Sequence, residues 1–314
     1  MTTTGRSRRT CLAVPGSSDR FIAKARGLPV DEVFLDLEDA VAPALKAEAR
    51  AAVAGALRDG DWGRKVRAVR VNDVTTGWAH RDVIEVVEQA GVSLDVIVLP
   101  KVTGPEHVIW LDLLLSQVER DRGLAPGGIG IEAQIEDARG LAEVDAIAAA
   151  SPRLEALVFG PADFMASLGM RSLEIGAQPA GYRGGDAFHY PLLRMLVAAR
   201  AHDLQAIDGP YAAIHDTDGL RQAAASVAAL GYDGKWVLHP GQVDVVNAEF
   251  APGQADYDRA ELILDAYEYH VTVRGRGAAM LDGEMIDEAS RKLALVAAAR
   301  GRAAGLRRTT SFQP

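Results

Sequence analysis

Eight short apolar runs, each trailed by a segment of different character, dominate the chain and restrict the folds open to it. The runs are Cys11–Val14, Glu32–Leu37, Val66–Val71, Asp95–Leu99, Gly128–Ile135, Ala156–Gly160, Leu204–Ile207 and Lys235–Leu238. They are continuous rather than alternating, as expected for strands covered on both faces in a parallel sheet. Between them lie segments with helical patterning: Asp19–Arg26, Ala44–Leu57, Thr75–Ala90, Pro105–Arg122, Ala138–Ala150, Pro191–His202 and Asp218–Leu230. Pro43 suits the opening of the second, because proline is tolerated in a first helical turn. A repeat of about 30 residues per β–α unit is that of a (β/α)8 TIM barrel. An open doubly wound sheet is the structural alternative. It would carry a glycine-rich phosphate loop after its first strand, where this chain reads Pro15-Gly16-Ser17-Ser18-Asp19.

Two segments exceed what the barrel needs. Residues 164–188 hold Gly169, Gly176, Gly181, Gly184 and Gly185 between the sixth strand and its helix, and read either as a lid or as an ordered surface excursion. Everything after the eighth strand forms the second. Tyr257, Ala260, Ile263, Leu264 and Tyr267 fall on one helical stripe, and after a break at Gly275–Gly277 a second stripe is expected from Ile286, Ala289, Leu293 and Val296. The expected division is a barrel domain over residues 1–245 and a C-terminal helical extension over 246–314, which either covers the barrel or docks on a neighbouring subunit.

Composition narrows the function. The formal net charge is −9, which disfavours a nucleic-acid coat while leaving room for a local basic pocket. The single cysteine, Cys11, excludes an intrachain disulfide framework and lies in an apolar run, as a buried strand residue would. No apolar window approaches the ~20 residues of a membrane span, and no signal peptide follows the basic start, so a cytoplasmic protein is expected.

Catalytic groups of such barrels stand at the C-terminal ends of strands. Here those ends carry Asp36, Glu38, Asp39, Arg70, Lys101, Glu136, Asp163 and Asp208, an ionic set that fits a divalent-cation site better than a solvated rim. Glu136 and Asp163 are one β–α unit apart and should face one mouth. Two carboxylates, with waters and substrate oxygens, is how Mg²⁺ is normally held. Zinc is disfavoured, since no Cys/His cluster has ligand spacing and the isolated His239 reads as structural. Arg70 has two compatible readings: a salt bridge to Glu38 or Asp39, and a fixed cation for the enolate formed when a carbon–carbon bond beside a thioester breaks.

Several stretches carry a resemblance. Leu12-Ala13-Val14-Pro15-Gly16-Ser17, Phe34-Leu35-Asp36-Leu37-Glu38-Asp39-Ala40-Val41 and Val69-Arg70-Val71-Asn72 are three. Ile135-Glu136-Asp137-Ala138, Leu157-Val158-Phe159-Gly160-Pro161-Ala162-Asp163-Phe164, Gly231–Pro240 and Met285-Ile286-Asp287 are the others. In this order, over nearly the whole chain, they resemble the citrate lyase β-subunit-like family, and within it the malyl-CoA and β-methylmalyl-CoA lyase branch.

The resemblance implies that Glu136 and Asp163 bind Mg²⁺, with Mn²⁺ as the alternative ion, and that Arg70 stabilises an enolate. Asp36, Glu38 and Asp39 would support the metal and Arg70, and Arg20 and Lys24 would touch the phosphates of coenzyme A. The plain alternative for Arg20 and Lys24, four apart on one helix face, is a solvated basic surface. Asp287 would be the acid/base, supplied by a neighbouring subunit of a homotrimer or homohexamer. The implied partners are an acyl-CoA thioester and glyoxylate, in a reversible cleavage of (3S)-malyl-CoA or β-methylmalyl-CoA. A citramalyl-CoA or citryl-CoA lyase, a malate-synthase-type activity and a non-catalytic CoA-ester-binding scaffold are the other readings. Relatives often read Ile-Glu-Thr where this chain has Ile135-Glu136-Asp137, and an Asn-Met-Arg type of sequence where it has Gly169-Met170-Arg171.

Overall fold

The computed structural model describes residues 6–313 and forms two compact units, Met1–Asn247 and Ala248–Pro314. The first contains eight parallel strands in a closed barrel, each hydrogen-bonded to its sequence neighbours, with the first also joined to the eighth. They are β1 (Thr10–Pro15), β2 (Glu32–Asp36), β3 (Val66–Arg70), β4 (Val96–Leu99), β5 (Gly130–Ile135), β6 (Leu154–Phe159), β7 (Gln205–Asp208) and β8 (Gly234–Val237). The (β/α)8 expectation is borne out.

Helices connect them: α1 (Asp19–Arg26), α2 (Lys46–Asp59), α3 (Ala79–Ala90) and α4 (Pro105–Asp121). The fifth unit carries two short helices, α5 (Ala138–Ala142) and α6 (Val144–Ala148), where one was expected. The sixth carries α7 (Pro161–Ser167) and then α8 (His189–Ala201); α9 (Thr217–Leu230) follows β7 and α10 (Val243–Glu249) follows β8. Pro43 opens a 3-10 turn, Pro43–Leu45, that leads into α2. Between α7 and α8 the chain has no regular structure, and Gly169, Gly176, Gly181 and Gly185 take positive φ. Among the described residues no helix is long and apolar enough to cross a membrane.

The barrel interior is layered because alternate residues of each strand point inward. On β2 these are Glu32, Phe34 and Asp36. At the floor, Arg8 is fully buried, its Nε 2.8 Å from Glu32 and 2.7 Å from Glu132. Gln205 and Glu155 take the other ends of the same guanidinium. Burial drives the Glu32 carboxyl well above its usual range, the charge of Glu132 adds to this, and Arg8 opposes it. Above lies an apolar layer that includes Cys11, Phe34, Ala68, Val98, Ile207 and Trp236. Cys11 is buried there, as its apolar run suggested.

The second unit holds α11 (Gln254–Thr272), a hairpin of β9 (Ala279–Leu281) and β10 (Glu284–Ile286), and α12 (Glu288–Ala303). The stripe expected from Ile286, Ala289, Leu293 and Val296 is corrected in two ways. Met285 and Ile286 belong to the hairpin, and Leu293 faces outward at 75% exposure. The packing face of α12 is instead Ala294 and Ala298, set against Tyr257 and Ala260 of α11. Small residues win because the helices approach closely: a β-carbon on Gly301 would lie 2.2 Å from the Tyr257 ring.

Candidate active site

Asp36 and Arg70 end β2 and β3 and are register partners. Arg70 donates from Nε to Asp36 Oδ1 at 2.8 Å and from Nη2 to Oδ2 at 2.7 Å. Asp36 also accepts the main-chain N–H groups of Glu38 and Ala40, at 2.9 and 3.1 Å. Burial pulls the Asp36 carboxyl up, but the Arg70 fork and these backbone donors outweigh it and hold it below the usual range. For Arg70 burial opposes the charge, and Asp36, Glu38 and Glu136 more than restore it. The guanidinium lies 5.5 Å from the Trp236 ring centre and 6.0 Å from that of Phe34, and those rings sit 4.2 Å apart. Its Nη1 is 3.1 Å from Glu38 Oε2. The planar cation is therefore fixed by a carboxylate fork and an aromatic floor.

The next two units bring Glu136 and Asp163 to the same mouth. Glu136 follows β5, and Asp163 lies in the first turn of α7, one step beyond the strand end expected for it. Each oxygen of the buried Glu136 accepts one hydrogen bond: Oε1 from the main-chain N–H of Lys101 at 2.7 Å, Oε2 from Gln134 Nε2 at 2.6 Å. Burial, then the charge of Asp163, pushes the Glu136 carboxyl up to about 8. Gly160 is a spatial requirement, since a β-carbon there would lie 2.4 Å from Glu136 Cβ and 2.5 Å from its Oε2.

Lys101 closes the set. Its ammonium bonds to Glu38 and lies 3.7 Å from Asp39 Oδ1 and 3.9 Å from Asp163 Oδ2. Of the two partners expected for Arg70, Glu38 is the one it meets, whereas Asp39 is exposed and pairs with Lys101. Glu38, buried, is pushed up by desolvation against the pull of Arg70 and Lys101.

Seven of the residues singled out from sequence thus share one mouth: Asp36, Glu38, Asp39, Arg70, Lys101, Glu136 and Asp163. Arg20 and Lys24 lie exposed on α1, with the Arg20 guanidinium 4.8 Å from the Phe21 ring centre. Asp287 belongs to the second unit, where it caps α12 by accepting the Ser290 N–H at 3.0 Å. That N–H is the main cause holding its carboxyl below the usual range. His239 caps the 3-10 turn Pro240–Gln242 by accepting the Gly241 N–H at 3.1 Å, the structural use expected of it. Asp137 caps α5 through the Gly140 N–H, which accounts for an acidic residue after Glu136. Sequence reasoning gave no part to Gln134 or Trp236. A signal existed for Gln134, which stands two residues before Glu136 and shares its face.

A closed parallel barrel with an arginine–carboxylate clamp and an acidic mouth defines the class of protein. The chain belongs to the HpcH/HpaI aldolase/citrate lyase family, whose model matches residues 9–240. It is 39% identical over 299 residues to the L-malyl-CoA/β-methylmalyl-CoA lyase of Cereibacter sphaeroides, covering 93% of each chain. It is 35% identical over 279 residues to a (3S)-malyl-CoA thioesterase of the same species, covering 89% of each. Among solved structures it resembles CitE of Mycobacterium tuberculosis in complex with magnesium, acetoacetate and coenzyme A. The TM-score is 0.71 at 28% identity, covering 95% of this chain and 99% of that one.

Proposed function

We propose that the protein is a magnesium-dependent carbon–carbon lyase. It cleaves (3S)-malyl-CoA or β-methylmalyl-CoA reversibly to glyoxylate and acetyl-CoA or propionyl-CoA. The observation that carries this reading is a rigid cation beside a crowded carboxylate pair: Arg70, clamped by Asp36, next to Glu136 and Asp163. The relatives named as malyl-CoA lyases support the substrate class.

Glu136 and Asp163 would hold Mg²⁺, or Mn²⁺ in its place. Their chemistry fits: both are hard oxygen donors, each Glu136 oxygen has spent only one hydrogen bond, and burial, with the charge of Asp163 adding to it, raises Glu136 to about 8. When bound, the metal supplies Lewis-acid charge toward a substrate hydroxyl and carboxylate. Arg70 gives two of the five N–H groups of an arginine to Asp36, which leaves donors on Nη1 and Nη2 for a substrate oxygen. As the carbon–carbon bond breaks, the substrate hydroxyl gives its proton to a nearby carboxylate or water and becomes the carbonyl of glyoxylate, while the electron pair of the broken bond moves into the thioester and its carbonyl oxygen becomes an enolate oxygen. Arg70 stabilises it there because the clamp costs no rearrangement at the moment of reaction. The α-carbon then takes a proton from Asp287, and in the condensing direction Asp287 removes it. The depressed Asp287 carboxyl suits the basic role at neutral pH. Asp287 is supplied by a neighbouring subunit of a trimer or hexamer, and Arg20 and Lys24 meet the phosphates of coenzyme A.

The test is a cleavage assay over a panel of 3-hydroxydicarboxyl-CoA thioesters, with and without Mg²⁺, identifying every product. Release of glyoxylate with acetyl- or propionyl-CoA supports the reading. Free CoA with an intact hydroxy acid would replace it with thioester hydrolysis, and pyruvate as product would move it to a citramalyl-CoA lyase.

A further inference from the structure

Lys101 stands in the left-handed region, with φ of 53°. A side chain with a β-carbon is strained there, and asparagine or glycine would serve better if only a turn were needed. Two consequences follow from this backbone. The main-chain N–H turns onto Glu136 Oε1 at 2.7 Å. The side chain turns onto Glu38, within 3.7 Å of Asp39 and 3.9 Å of Asp163. One residue thus orients one member of the Glu136–Asp163 pair and places a positive charge beside the other.

We propose that Lys101 is a positioning residue that sets how tightly the Glu136–Asp163 pair takes a divalent cation. Its N–H holds Glu136 in place, and its ammonium competes with the incoming ion for the same carboxylates. The inference rests on the reading of that pair as the metal site. Like charges a few ångströms apart, partly out of water, repel strongly enough to dominate a binding constant. The ammonium therefore keeps the acidic mouth assembled without a metal and weakens the metal's hold. Lys101 should act on affinity with a sign opposite to that of a ligand.

The experiment measures Mn²⁺ binding to the full chain by electron paramagnetic resonance, with calorimetry as a check. Lys101→Met keeps the stem and removes the charge, and should bind Mn²⁺ more tightly by on the order of tenfold or more. Lys101→Gly removes the charge and relieves the backbone, so it tests the same point should the methionine variant fold poorly; it should also bind more tightly. Lys101→Arg keeps the charge and should stay near the wild type. Unchanged or weaker binding in folded Lys101→Met or Lys101→Gly overturns the proposal. The metal reading itself fails separately, if wild-type protein binds no Mn²⁺ or if Asp163→Ala binds it as well as wild type does.

Discussion

Arg70 and Asp36 meet through two parallel hydrogen bonds, at 2.8 and 2.7 Å, across the ends of two paired strands. The fork fixes the guanidinium plane, and lysine cannot reproduce it. Arg70→Lys should lose about 10²–10³ in kcat with little change in fold. Asp36→Asn should lose part of the same effect, because the amide can accept only one of the two bonds. Steady-state kinetics with circular dichroism checks both. Near-wild-type kcat in Arg70→Lys would reduce the residue to a rim charge.

Gly160 is the least conspicuous requirement of the site. A methyl group there meets Glu136 at 2.4–2.5 Å, so the carboxylate must shift. Gly160→Ala should cost about 10² in kcat, the effect of misplacing a reacting group by about an ångström. Its stability should fall by only about 1–3 kcal/mol, as for other overpacked sites. A variant with full activity and unchanged metal dependence would show that Glu136 need not stay where it is.

The barrel floor gives a pH prediction. Glu32 and Glu132, both fully buried, face one guanidinium, that of Arg8, whose far end also meets Glu155. The native pKa of Glu32 is raised above its unfolded value, so the folded protein keeps a proton that the unfolded chain gives up. The associated stability is complete below the unfolded pKa and is lost as pH rises through the folded one. Its limiting slope is about 1.4 kcal/mol per pH unit. Glu132→Gln removes the repelling charge and should flatten this dependence. Urea unfolding from acid to alkaline pH in both proteins decides it; parallel curves would mean that the charge of Glu132 does not raise Glu32.

A mixing experiment tests the subunit sharing proposed for Asp287. Glu136→Ala and Asp287→Ala should each be nearly inactive, since general acid–base help alone is worth about 10²–10⁴ in rate. Reassembled together in equal amounts, they should regain activity at about a quarter of sites if each site joins two subunits around a closed ring. No recovery, with mixed oligomers verified by mass spectrometry, would place Asp287 in its own chain's site or outside the chemistry.

The strands were legible because apolar runs and their spacing report burial directly. The Glu136–Asp163 pair was legible because one β–α unit separates them. Glu38 was legible as a neighbour of Arg70, but the carboxylate that clamps it, Asp36, was not. Adding Asp36 to the expected Glu38 and Asp39 requires the inter-strand register, which sets Asp36 opposite Arg70 and which no local pattern encodes. Lys101 was visible as a charge at a strand end, but its clasp depends on a positive φ that lysine does not advertise. The stripe over α12 was misread because large side chains weigh most in a periodicity argument. Ala294 and Ala298 make the contact here, and Leu293 does not.

The pairing of β1 with β8, Thr10 beside Lys235 and Leu12 beside Val237, has a consequence for biosynthesis. Of the eight barrel strands β1 is made first, and one of its two neighbours, β8, is made last of the eight. Until residue 237 emerges the sheet remains an open ribbon with two unsatisfied edges, both templates for wrong partners. The link spans most of the chain, and such long-range contacts form slowly. The nascent barrel is therefore most open to aggregation between the emergence of β1 and that of β8, and a chaperone that shields the β1 edge over that interval should raise its yield more than one that acts later.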